Sequence, residues 1–139
     1  MKLRSILAFL LIAVFALPAR AELQIDVNGA VRDPLPLAFP EIISSTPSAE
    51  DYGERIREVV IADLERSGLF RIIPDNSYIQ ELKSINEQPN FTDWKAINAH
   101  ALVQSAISEV NMQNLKVEMR LWDVYAENQM KGQSFTTTK

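Results

Sequence analysis

ELQIDVNGAVRDPLPLAFPEI, residues Glu22 to Ile42, is the stretch whose division decides the fold. Its opening alternates Leu23, Ile25 and Val27 against Glu22, Gln24 and Asp26, the period-two pattern of a short strand. Asn28-Gly29 then supplies a turn, followed by Ala30, Val31, Arg32 and Asp33. Beyond Pro34, the residues Leu35, Leu37 and Phe39 share one face and form the first candidate core strand. Pro36 and Pro40 lack a backbone donor, which pushes that strand toward a sheet edge. Two parts with different expected behaviour result: an extended tail over 22–33 and a strand that belongs to a domain over 34–139.

Downstream, Ser44 to Pro47 leads into a helix for which Ser48 is the expected N-cap, with Asp51 at the capping-box position. Tyr52, Ile56, Val59, Val60 and Leu64 make its apolar stripe, and Gly68 ends it in a left-handed conformation. Leu69 to Ile73 reads as a short buried strand stopped by Pro74. Strand, long helix and strand make a βαβ unit, for which parallel pairing with a right-handed crossover is expected.

Asp75-Asn76-Ser77 caps an expected second helix through Leu82, and Thr92 an expected third with Trp94 and Ile97 inside. Three strands follow: Ala101 to Val110, Leu115 to Tyr125, and Gln133 to Lys139 with Phe135 and Thr137 on one face. They predict an antiparallel meander with one face toward the helices and the other toward solvent or another body. Trp94 is expected in the core; Trp122 fits either core or a contact surface. The fold class is therefore α/β: a mixed sheet with a βαβ unit and a three-strand meander, covered by two to three helices.

Upstream, Lys2 and Arg4 precede the apolar run Ile6 to Leu17, and Ala19-Arg20-Ala21 gives a small-x-small site. This is the layout of a secretory signal peptide, expected to be cleaved between Ala21 and Glu22. Twelve apolar residues fall short of the roughly 20 that span a bilayer. Loss of Lys2, Arg4 and Arg20 takes the formal charge from −4 to −7 on 118 residues, a balance that disfavours nucleic acid and anionic membrane. With no cysteine there is neither a disulfide framework nor a lipid-modified cysteine, so no stable membrane anchor is expected. One domain is expected of a chain this long.

Catalytic signals are weak. One histidine cannot build a multi-histidine metal site, and His100 lies between Ala99 and Ala101 without a Ser or Asp at catalytic spacing, so a structural role is expected. Asn28-Gly29-Ala30 lacks the second glycine of a phosphate loop. Asn90-Phe91-Thr92 matches a glycosylation pattern but is better read as a helix cap. The acids and arginines of the long helix, among them Glu54, Arg57 and Glu58, read as a solvated face. No cofactor, metal, nucleic acid or small-molecule substrate is expected.

IDVNG followed by PLPLAFPEI, then ADLERSGLF, FTDWKAINAHALV, VEMRLWDV and GQSFTTT, together with the leader, resemble the TolB amino-terminal domain family of the Tol-Pal system. Gln104-Ser105 stands where that family usually has a glycine, and Phe39 where a smaller aliphatic is common; both read as packing variation. The resemblance implies a periplasmic, non-catalytic interaction domain with a role in outer-membrane integrity and in constriction at cell division. It further implies that the mature terminus, Glu22 to Asp33, carries the contact with TolA, and that a β-propeller absent from this sequence would bind Pal. On that reading the sequence stops before the propeller.

The residues themselves leave the tail two roles, an edge strand of the home sheet or a strand added to a partner's sheet; the resemblance favours the second. An alternative of another class is an exported α/β accessory domain of a cell-envelope enzyme. A sheet left partly uncovered would also be only marginally stable.

Overall fold

The computed structural model describes residues 33–139. A six-stranded mixed sheet carries cover on both faces, with strand order β3-β1-β4-β5-β6 and β2 paired to β4. The strands are β1 (Leu35–Ala38), β2 (Ile43–Ser44), β3 (Phe70–Ile72), β4 (Ala101–Glu109), β5 (Asn114–Asp123) and β6 (Asn128–Thr138). Two α-helices, α1 (Pro47–Arg66) and α2 (Phe91–Ala96), and one 3-10 turn at Asp75–Ser77 complete the described elements. The expected α/β class, the parallel β1–β3 pair and the antiparallel β4–β5–β6 meander are all present.

The expected edge position of β1 is wrong. It lies between β3 and β4, parallel to both. Pro36 is tolerated because the ladder to β4 begins at Leu37 opposite Ala101, one residue later. The carbonyl of Pro36 still accepts from the His100 N–H at 2.9 Å, so the missing donor costs no paired position. The strand ends at Ala38, one residue before the expected Phe39. After a break at Pro40-Glu41 the chain returns as β2, with Ile43 opposite Ala106.

Helix α1 starts earlier than the sequence reading placed it. Thr46, not Ser48, is the N-cap: its hydroxyl accepts from the Ala49 N–H at 3.2 Å, and Pro47 follows in the first turn. Proline suits that position because its absent N–H would have had no helical partner. Gly68 has φ +70°, the left-handed conformation expected for it. Tyr52, Ile56, Val60 and Leu64 pack on the sheet as expected, together with Ile61. Val59 does not; it is 62% exposed. The closest approach is at Ala49 and Gly53, since a Cβ on Gly53 would stand 3.3 Å from Ile42 Cβ and 3.4 Å from Ile107 Cγ2.

The helix expected over Asp75 to Leu82 is reduced to the single turn Asp75–Ser77, with no side-chain cap, followed by chain without helix or strand to Asn90 that turns at 84–87. Its side chains are committed across the fold instead. Tyr78 packs edge-on against Trp94 with ring centroids 5.3 Å apart, and Gln80 Oε1 accepts from both Asn90 N–H (2.8 Å) and Trp94 Nε1 (2.9 Å). Helix α2 is capped by Asn90, whose side chain accepts from the Thr92 N–H, rather than by Thr92.

Segment 74–99 covers the sheet face opposite α1, so the meander does not have one open face throughout. One core cluster joins Ala38, Trp94, Leu102, Trp122 and Val124; the other joins Leu37, Phe39, Ile107, Leu115 and Val117 beneath α1. Trp122, left open between core and surface, is core at 7% exposure, with its ring edge-on to Phe91. The last strand begins at Asn128, five residues before its expected start, and every residue of it is exposed.

Gln104 links the layers. Its side-chain amide donates to Ser84 O (2.7 Å) and Glu87 O (2.9 Å), and its carbonyl accepts from Trp122 Nε1 (3.0 Å). Gln104→Leu should lose about 2–4 kcal/mol, because the Glu87 carbonyl and the Trp122 indole N–H lose their partner in a desolvated site, while the Ser84 carbonyl keeps only the Glu87 N–H. Urea unfolding should show it as a lower midpoint with an unchanged slope.

Candidate interaction site

Of the residues expected to bind a partner, Glu22 to Arg32 lie outside the described residues, as do the leader, the Ala21–Glu22 cleavage site and the Asn28-Gly29 hinge. Asp33 is exposed and immediately precedes the half-buried Pro34 and β1. At that junction Leu35 N–H donates to Leu69 O at 2.9 Å, Ile73 N–H donates to Leu37 O at 2.9 Å, and Pro36 O accepts from His100. Backbone bonds to both neighbours therefore fix β1 from its first residue onward. A segment joined at Asp33 is attached to an interior strand and not to a fraying edge.

His100 enters this clamp through its backbone N–H. Its exposed ring lies against Tyr125, with centroids 4.8 Å apart, and Tyr125 reaches Asn98. Among the described residues no three His, Asp or Glu converge to hold a metal ion. No helix among them is long and apolar enough to cross a membrane.

A second feature lies at the other end of β1, where a solvent-open cleft of about 790 Å³ follows the carboxyl ends of β1 and β3. Residues 40–44 form its base, α1 one wall and 75–83 the other. Arg57 ties the walls together: Nε donates to Phe39 O at 2.8 Å and Nη2 to Asp75 Oδ1 at 2.5 Å. The guanidinium also stands over the Phe39 ring, 5.9 Å from its centroid. Tyr78 completes the tie, its hydroxyl accepting from Phe39 N–H (3.1 Å) and donating to Ile73 O (2.9 Å).

Sequence reasoning missed these roles. Arg57 was assigned to a solvated face, and Gln104 to packing variation. The one available signal was placement: Arg57 lies one residue after Ile56 of the apolar stripe, at the border of the buried face.

Burial raises the Tyr78 phenol above its ordinary value, against a lowering by the hydrogen bond from Phe39; nearby Asp75 also raises it. The folded state thus holds this proton to higher pH than the unfolded chain does. Stability associated with it is complete below about pH 10 and is lost as pH rises through the folded value. Tyr78→Phe should cost about 1–2 kcal/mol at neutral pH by removing both hydrogen bonds. Above pH 10 its loss of stability should be shallower than that of the parent, as read by denaturant titrations at stepped pH.

With this geometry in place, the comparisons are decisive at the level of family. A family model of the TolB amino-terminal domain matches residues 23–130. The chain belongs to that family. It is 42% identical over 135 residues to the Tol-Pal system protein TolB of Paramagnetospirillum magneticum (strain ATCC 700264 / AMB-1), covering 94% of this chain and 30% of that protein. The chain thus spans less than a third of the length of that curated relative. Among solved structures, TolB from Acinetobacter baumannii superposes with a TM-score of 0.59 at 19% identity, over 77% of this chain and 24% of that one. The LpoB C-terminal domain from Salmonella enterica gives a TM-score of 0.59 at 11% identity, over 81% of this chain and 87% of that one. At these identities the two structural likenesses speak for the fold alone.

Proposed function

We propose that this chain is a non-catalytic periplasmic interaction domain of the Tol-Pal system, engaging TolA through its mature amino terminus, Glu22 to Asp33. In this reading the leader is cleaved after Ala21, which frees Glu22 as the first residue of the tail. The domain contributes to outer-membrane integrity and to envelope constriction at cell division. Pal is a partner of the longer protein, through a propeller that is not part of this sequence.

The observation that carries the reading is that the TolB amino-terminal family match begins at residue 23. It takes in the tail as well as the packed domain, so the tail belongs to the shared pattern. Its alternation of Leu23, Ile25 and Val27 suits strand addition, in which backbone bonds supply affinity and alternate side chains supply specificity. The anchored start of β1 supports the division of labour: among the described residues, β1 is held by backbone bonds from Leu35 onward. The reading of the chain as an accessory domain of an envelope enzyme has no comparable support, since the family match and the 42% relative both point to the Tol-Pal system.

Deletion of Glu22 to Asp33 from the leaderless chain should abolish TolA binding in isothermal calorimetry while the far-UV circular dichroism and melting temperature stay close to those of the parent. Retained affinity would refute the assignment of the tail.

A further inference from the structure

We propose that the cleft at the carboxyl ends of β1 and β3, formed by residues other than the Glu22 to Asp33 tail, receives an extended, lysine- or arginine-bearing segment of a partner protein. Its position is the first argument. After β1 the chain crosses one face of the sheet as α1 and returns through β3, and the next connection, 74–99, covers the opposite face. In open α/β sheets the crevice at such a divergence is where ligands are most often received.

Spacing supplies the chemistry. Glu50, Glu54 and Glu58 line the cleft from α1, four residues apart and so on one row, with successive members about 6 Å apart along the axis. Alternate side chains of an extended peptide repeat every 6.4–6.8 Å or so. Cationic side chains at every second position of such a peptide therefore meet successive glutamates. Glu41 and Glu81 add charge from the base and the opposite wall, and none of these five carboxylates has an ion-pair partner among the described residues. The lining's two cations do not neutralise them: Arg57 is already held by Asp75 and the Phe39 carbonyl, and Lys83 on the 75–83 wall forms no ion pair with any of them, which leaves six carboxylates against two cations. A row of separated carboxylates fits distributed cations better than a single metal ion, in keeping with the lack of any convergent cluster among the described residues.

The apolar lining fits the same occupant. Ile42 and Leu82 are buried in the lining, while Ile79 is 60% exposed beside them. Such a surface takes up the methylene stems of lysine or an intervening apolar residue. The Arg57–Asp75 and Tyr78 ties hold the two walls in place before anything binds, which lowers the ordering cost of association.

The test is a titration of the isotopically labelled chain with the peptide acetyl-Lys-Ala-Lys-Leu-Lys-amide, followed by amide chemical shifts. Shifts should concentrate at residues 41–44, 50–58 and 79–83, weaken with salt, and be absent for the peptide with glutamate in place of lysine. The double variant Glu54→Gln/Glu58→Gln, at exposed positions, should bind roughly tenfold more weakly, about threefold per rim charge, with an unchanged melting temperature. Deletion of Glu22 to Asp33 should leave this binding intact, so that failure of the tail assignment and failure of the cleft assignment are separate results. No shifts at the cleft, undiminished affinity of the double variant, or equal affinity for spermidine with the same shift pattern would each overturn the proposal.

Discussion

The carboxamide of Gln104 is the interaction on which the rest of this domain depends. It is 1% exposed in the middle of β4, and its amide and carbonyl are both used, toward the 84–87 backbone and toward Trp122. A side chain with two donors and an acceptor is what a buried site between a sheet and an irregular segment requires. Without it, the Glu87 carbonyl and the Trp122 indole N–H would face desolvation unpaired, at a cost that exceeds the value of the bonds themselves, whereas the Ser84 carbonyl would keep the Glu87 N–H at 3.1 Å. Gln80 performs a similar task within the segment itself, pairing Asn90 N–H and Trp94 Nε1. Two glutamines and two tryptophans thus hold a segment that has almost no regular structure of its own.

That arrangement explains how far the fold was legible from sequence. Period-two alternation in β4 and β5, the length of α1 and the glycine at 68 each carry a local signal, and each element is present. The neighbours of β1 were not legible, because the proline argument assumes every strand N–H needs a sheet partner; Pro36 sits one residue ahead of the ladder to β4. The absent helix after Asp75 has a similar cause. Capping residues there suggest a helix, but Tyr78 and Gln80 gain more from tertiary bonds than from helical ones. Tertiary pairing of side chains distant in sequence has no local periodicity, and Gln104 with Trp122 is the clearest instance.

The tail stands out in the sequence for a different reason. Residues 22–33 stand out as an alternating segment set off by Asn28-Gly29, and the family match includes all but the first of them. The cleft was not anticipated, since Glu50, Glu54 and Glu58 belong to a charged helix face that reads as ordinary solvation. Only the placement of 75–83 across from them turns that face into a wall. Its rigidity comes from Arg57, whose bonds to Phe39 and Asp75 join residues 18 positions away on either side.

In the proposed account the packed domain is a scaffold and the tail is the part that reaches TolA. The most direct measurement is a competition in which a synthetic peptide of residues 22–33 is added to a preformed complex of the chain with TolA and followed by fluorescence anisotropy. The account predicts full displacement, with the peptide binding within about tenfold of the chain's own affinity, or 1.4 kcal/mol. A peptide that fails to displace the chain at saturating concentration would contradict it and place the contact on the packed domain.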